Sequence, residues 1–376
     1  MSPPSSAATP ARRSAQALRF VLPFVALILA ALMHVVDPAN EAPWMDVAIP
    51  TFAILLLLPT VTVALHHAEA VAARIGEPFG TLLLTLAVTT IEVSIIVSMM
   101  LHGENNPTLA RESVFSVVMI ACNGGIGLCL TVGALRYLEQ EHKPQGTNSY
   151  LAVLIALSVL SLILPDFTLT TAAGTFSATQ LAFVSLLSVL LYLAFLYMQS
   201  VRHRGYFVDG METTDRHGPG EERQPPLWAS VACLLAGLVA VVLLAERVAA
   251  GVENGLAALG VTHPDPIIGA LVAALMLFPE LLAAVRAALG NQLQRSINLI
   301  LGSALATIAL TIPAVAAVSL FTGRELTLGL NSRDEVLLVL TLVLSIVSFG
   351  SGRTNVMSGL VHIVVFFTYV LLLAVP

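Results

Sequence analysis

Leu84-Thr85-Leu86-Ala87-Val88-Thr89-Thr90-Ile91-Glu92-Val93 and, 188 residues later, Leu277-Phe278-Pro279-Glu280 each set one carboxylate deep in an apolar run. The first run extends from Thr81 to Met100. The second lies within His263 to Arg286, with Ile267 to Phe278 before the acid and Leu281 to Val285 after it. An ionised carboxylate at mid-bilayer costs roughly 2.5–3.5 kcal/mol on insertion scales. Two such acids argue for a shared task.

The surrounding composition fixes the class. Of 376 residues, 57% are hydrophobic and 11% charged, and the mean hydropathy is +0.89. A soluble domain carries about 25% charged residues. Continuous apolar runs, without strand-like alternation, predict an all-α polytopic membrane protein and exclude a β-barrel. Basic clusters never exceed two adjacent residues, so nucleic acid is not a partner. Cys122, Cys129 and Cys233 lie in apolar runs with no Cys-x-x-Cys pair. They read as packing residues, and neither a disulfide framework nor a resident zinc site is expected.

Eleven spans follow from the apolar runs, at about 18–36, 47–66, 79–101, 113–134, 150–164, 180–199, 227–246, 266–287, 296–320, 335–350 and 356–375. Residues 1–17, rich in Ser, Pro and Ala, read as a disordered tail. The 18–36 run is long enough to span and lacks a convincing cleavage site, so it reads as a first transmembrane helix. Residues 200–226 form a polar, acidic loop without EF-hand spacing. Placing the N-terminus inside puts thirteen of the 17 Lys and Arg residues on the cytoplasmic side and four outside.

The loop separates a five-helix segment, 45–199, from a second one, 227–376. Five is odd, so the two halves run in opposite senses across the membrane. This is the inverted-repeat logic of secondary transporters, with the binding site near the midplane. In each half the acidic span is the second, and a span rich in Gly, Ser and Thr comes next.

Thr85 and Thr89 precede Glu92 by seven and three residues, which puts all three on one helix face. Asn123, Ser303 and Thr307 add polar atoms on the spans that follow the two acids. Pro279 removes a backbone donor beside Glu280 and frees a carbonyl. Carboxylates with hydroxyl, amide and carbonyl oxygens suit hard cations such as calcium or sodium, and the His and Cys ligands that copper or zinc favour are lacking. Two carboxylates in one cavity also raise each other's proton affinity. A divalent cation neutralises both, and so do two protons, and that exclusivity is proton antiport. His362, inside the last span, and His66, at the inner end of the second, are candidates for a proton path.

Gly76-Glu77-Pro78-Phe79-Gly80-Thr81, the run to Glu92-Val93, Leu277-Phe278-Pro279-Glu280, Asn298 to Pro313 and Arg353-Thr354-Asn355 resemble the bacterial calcium/proton antiporters of the ChaA type, in the cation/calcium exchanger superfamily. The resemblance covers about 45–376. It implies an extra first helix, two inverted five-helix repeats, and Glu92 and Glu280 as the central cation and proton ligands. It also matches Asn123 and Gly302-Ser303 to the spans after the two acidic motifs. The wider calcium/proton exchangers carry Gly-Asn where this chain has Val88-Thr89 and Met276-Leu277, and a Gln at Ala306. Side-chain oxygens are therefore fewer, and sodium or potassium stands beside calcium as cargo.

The expectation is a calcium/proton antiporter of the bacterial inner membrane, exporting calcium and also sodium, with a cytoplasmic N-terminus and no cofactor. Its partners are inorganic cations, protons and the lipid bilayer; the sequence leaves oligomeric state open. The alternatives are a sodium (potassium)/proton antiporter and a membrane-embedded enzyme. No His-Glu-x-x-His or Gly-x-Ser-x-Gly motif supports an enzyme.

Overall fold

The computed structural model describes residues 10–35, 45–76, 79–102, 106–207, 226–258, 260 and 264–375. Apolar sequence with no water to satisfy its backbone must become helix. Eleven helical rods result among the described residues: α1 (Pro10–Val35), α2 (Met45–Ile75), α3 (Phe79–His102), α4 (Leu109–Tyr137), α5 (Pro144–Phe167), α6 (Ala178–Arg202), α7 (Leu227–Ala258), α8 (Asp265–Leu289), α9 (Leu293–Thr322), α10 (Ser332–Phe349) and α11 (Val356–Ala374). Nine are long and apolar enough to cross a membrane. α10 opens on Arg333, Asp334 and Glu335, which shorten its apolar part. α1 begins at Pro10, so the second half of the expected 1–17 tail is helical, while residues 1–9 lie outside the described residues. Most of the 200–226 loop also lies outside them.

The chain divides into two units. The first comprises Met1–Ile91 with Glu221–Gly255, and the second Glu92–Gly220 with Leu256–Pro376. In the first unit, His34 Nε2 meets Glu246 Oε2 at 3.0 Å, and His67 Nε2 donates to the Arg19 carbonyl at 3.1 Å. These polar contacts tie α1 to α7 and to α2.

The second unit holds α4–α6, α8–α11 and the later part of α3. Here α4 packs closely on α8. A Cβ at Gly269 would lie 2.8 Å from the backbone of Glu112 and Ser113, so the two backbones touch there without a side chain between them. α4 also packs on α11. A Cβ at Gly127 would stand 3.0 Å from His362 and Ile363, and one at Gly359 would overlap Thr131.

Four of these rods depart from α-geometry among the described residues. π-helical turns occupy Ile120–Gly125 in α4, Val159–Ile163 in α5, Met198–Arg202 at the end of α6 and Thr307–Thr311 in α9. Such turns insert a residue and re-aim the side chains around it.

Two sets of loop contacts join sequence-distant rods. Strands β1 (Glu139–Glu141) and β2 (Arg353–Asn355) pair antiparallel, with Gln140 opposite Thr354. They link the α4–α5 connection to the α10–α11 connection. In the second set, the α9–α10 connection meets the α5–α6 region. Leu328 N and Gly329 N donate to the Gly174 carbonyl, and Leu330 N to the Leu162 carbonyl, at 2.8–2.9 Å. Each α4-like rod start also reaches across. Arg111 Nη1 donates to the Gly329 carbonyl at 2.6 Å, and Lys143 N donates to Gln294 Oε1 at 2.7 Å.

Candidate functional site

The site is built from α3, α4, α8 and α9 within the second unit. Glu92, on α3, is 4% exposed. Its Oε2 accepts a 2.8 Å hydrogen bond from Thr307 Oγ1, which stands in the π turn of α9. Oε1 is buried with no hydrogen-bond partner among the described residues. Thr311, four residues on in the same turn, faces this carboxylate, although its hydroxyl makes no hydrogen bond of its own. Thr89, one turn before Glu92 on α3, is buried. The Thr85 side chain lies outside the described residues.

Glu280 is half-buried on α8. Beside it, Leu277 and Leu281 of α8, Ile300 of α9, and Ile120, Ala121 and Gly125 from the π turn of α4 line a small apolar cleft. Pro279 is accommodated without ending the helix. Both acids are negative when ionised, and like charges brought close together disfavour each other's ionised form. Oxygen ligands and two carboxylates can hold a hard cation or protons. Among the described residues no cluster of three His, Cys, Asp or Glu side chains forms a resident metal site.

Asn123 is fully buried in the α4 π turn, and its side chain is engaged by α10 and α11. Nδ2 donates to Thr341 Oγ1 at 2.8 Å, and Oδ1 meets His362 Nδ1 at 3.1 Å. His362 Nε2 meets Ser348 Oγ at 3.1 Å. Asn123 and His362, expected in the polar shell and the proton path, therefore contact each other. Neither is hydrogen-bonded to an acid of the pair among the described residues. Ser303 is half-buried on α9, one turn before Thr307. His66 is exposed on α2, where Arg19 Nη1 lies 3.2 Å from its Nε2.

Sequence reasoning missed Thr341 and Ser348. With Ser345 they form a stripe at helical spacing on α10, a signal that was open to reading. It also missed the ion pair of Arg111 with buried Glu112, at 2.6 Å, for which adjacent charges near a span end give no cue.

These features describe a nearly all-helical polytopic membrane protein with one acid, Glu92 or Glu280, set inside each of two spans. A family model described as sodium/calcium exchanger protein matches residues 45–201 and 229–375, and the chain belongs to that family. It is 42% identical over 358 residues to a protein of Sinorhizobium fredii named only as an ionic transporter, covering 95% of this chain and 96% of that one. It is 36% identical over 329 residues to the sodium-potassium/proton antiporter ChaA of Escherichia coli, covering 86% and 88%. The solved structure of native YfkE shares the fold, with a TM-score of 0.68 at 19% identity over 93% of this chain and 98% of that one.

Proposed function

We propose that this chain is a secondary-active cation/proton antiporter that exchanges calcium for protons by alternating access. Glu92 and Glu280 bind either the cation or protons. The observation that carries this reading is the buried carboxylate of Glu92 held by a hydroxyl from the opposite half of the chain, with Glu280 half-buried beside a cleft that α4, α8 and α9 line. Thr307 and Ser303 supply neighbouring oxygens, and Asn123 belongs to the shell through its π turn. His66 is proposed as a proton relay at the inner end of α2.

The halves 45–199 and 227–376 are read as inverted repeats, with 200–226 cytoplasmic, the N-terminus inside and the bacterial inner membrane as location. The loop contacts support this. The connection after the third rod of one half meets the connection after the fourth rod of the other, and the same relation recurs with the halves exchanged. The relatives named for transport support a transporter over an enzyme.

A second reading, sodium or potassium for protons, is favoured by the named activity of the Escherichia coli relative. Everted membrane vesicles with an acid lumen separate the two. Addition of calcium should alkalinise the lumen through this protein. A response to sodium or potassium but not to calcium would establish the second reading. No cation response in either case would refute antiport.

A further inference from the structure

Many hydroxyl groups on these helices use their protons locally. Thr90, Ser116, Thr341 and Thr368 each donate to the carbonyl four residues back, at 2.6–2.9 Å. The π turn of α9 departs from that pattern at both ends. Thr307 opens the turn and Thr311 closes it. Thr307 donates to Glu92 Oε2 at 2.8 Å, and Thr311, fully buried, has no hydrogen-bond partner among the described residues. A π turn pairs backbone groups five residues apart, which shifts the carbonyl four residues back from its usual place beneath the side chain. The turn thereby directs both hydroxyls away from their own backbone.

Residues four apart share a helix face. That face of α9 meets Glu92: Thr307 bonds one carboxylate oxygen, and Thr311 faces the same group. The other oxygen, Oε1, is buried with no partner among the described residues. A buried carboxylate oxygen and a buried hydroxyl at one place, each without a partner, call for a ligand, since buried polar atoms are paired in nearly all cases. The neighbouring Ile308, Ala309 and Ile312 are buried and apolar. On α4 the position four residues beyond Asn123 is Gly127, which has no side chain, so the second hydroxyl is a feature of α9.

We propose that Glu92 Oε1 and the Thr311 hydroxyl are two ligands of a seat for a monovalent hard cation, sodium, which makes Thr311 a specificity-determining residue. This inference rests on the reading of Glu92 as a cation ligand. The chemistry of the donors sets the class of ion. All are oxygens, which suit hard cations. Glu92 brings one negative charge and the hydroxyls bring none, so the set balances an ion of charge one. Calcium gathers about 6–8 oxygens and draws on several carboxylates. In the antiport reading it uses both acids, and one neutral oxygen matters less to it.

The test uses the purified full-length protein in detergent, with choline as the reference cation. The rise in melting temperature with added sodium or calcium gives each affinity without any transport step. Both cations should stabilise the wild type. Thr311→Val keeps the shape and removes the hydroxyl. It should raise the sodium Kd by about tenfold, the lower end of what even an outer-shell partner contributes, and the calcium Kd by no more than about twofold. Thr311→Ser keeps the hydroxyl and should return the sodium Kd to near wild type. If the Val variant does not fold, Thr311→Ala set against Thr311→Ser gives the same comparison. An unchanged sodium Kd in the variant without a hydroxyl would leave Thr311 to packing and overturn the proposal. Equal losses for sodium and calcium, or a Ser variant as weak as the Val one, would overturn it too. A wild type that binds calcium alone defeats only the sodium seat, whereas one that binds neither cation defeats the antiport reading and the seat with it.

Discussion

A Glu-to-Gln exchange at position 92 removes a proton site yet leaves the Thr307 hydroxyl a carbonyl oxygen to donate to. The fold should therefore survive while the exchange does not. Either Glu92→Gln or Glu280→Gln should abolish coupled calcium/proton exchange in liposomes, with an unchanged elution profile on size exclusion. Retention of pH-dependent exchange at near wild-type rates would return both acids to helix packing. Thr307→Val tests the support for Glu92. A hydrogen bond to a charged group contributes about 1.5–3 kcal/mol, so the variant should bind calcium at least tenfold more weakly, measured as KM. At this scale the sequence was informative where burial is costly. Glu92, Glu280 and Thr307 stand out because polar atoms in apolar runs need a reason. It was uninformative about partners. The amide of Asn123 demanded company, but nothing in its own stretch pointed 239 residues ahead to His362.

The helical rods themselves were legible from hydropathy, since length and apolarity decide what can span. The π turns were not. One inserted residue leaves the apolar pattern intact and changes only which side chain faces which neighbour. The β1–β2 pairing was equally hidden, because three-residue strands have no pattern to read. Beside that pairing lies His142, just outside the spans and 7% exposed. Its Nε2 donates to the Phe349 carbonyl at 3.2 Å, and its ring packs edge-on to Phe349. Nδ1 is buried without a partner among the described residues. Burial lowers the His142 pKa, and the Phe349 carbonyl opposes this more weakly. The folded protein thus refuses a proton that the unfolded chain takes below about pH 6.5. The stability that comes from keeping His142 neutral is complete above that pH. It is lost progressively as pH falls toward the depressed folded value. His142→Gln keeps a donor for Phe349 but does not titrate. Its melting temperature in detergent should fall less than that of wild type between pH 7.5 and 5.5; parallel declines would assign the acid sensitivity elsewhere.

Across the whole molecule, the excess of Lys and Arg on one set of loops argues for an inside N-terminus, and an odd number of spans puts the C-terminus outside. Reporter fusions should place the 200–226 loop in the cytoplasm and the end of α11 on the opposite side. A loop and C-terminus on the same side would defeat the inverted arrangement. The proposed five-plus-five division rests on the long polar stretch that interrupts the apolar runs. The contacts that join residues 106–207 to 264–375 were not legible in the sequence, since each depends on backbone groups that every residue carries.

Those crossings bear on how the protein is made. The carbonyls of Leu162 and Gly174 and the side chain of Arg111 meet partners on residues 328–330, and Lys143 N awaits Gln294. A ribosome releases the first half long before those partners exist. Its rods can insert one by one, but their loop ends stay unmet until α9 and α10 have been synthesised. Biogenesis therefore has a late closing step, set by chain order, in which the newest residues complete the oldest.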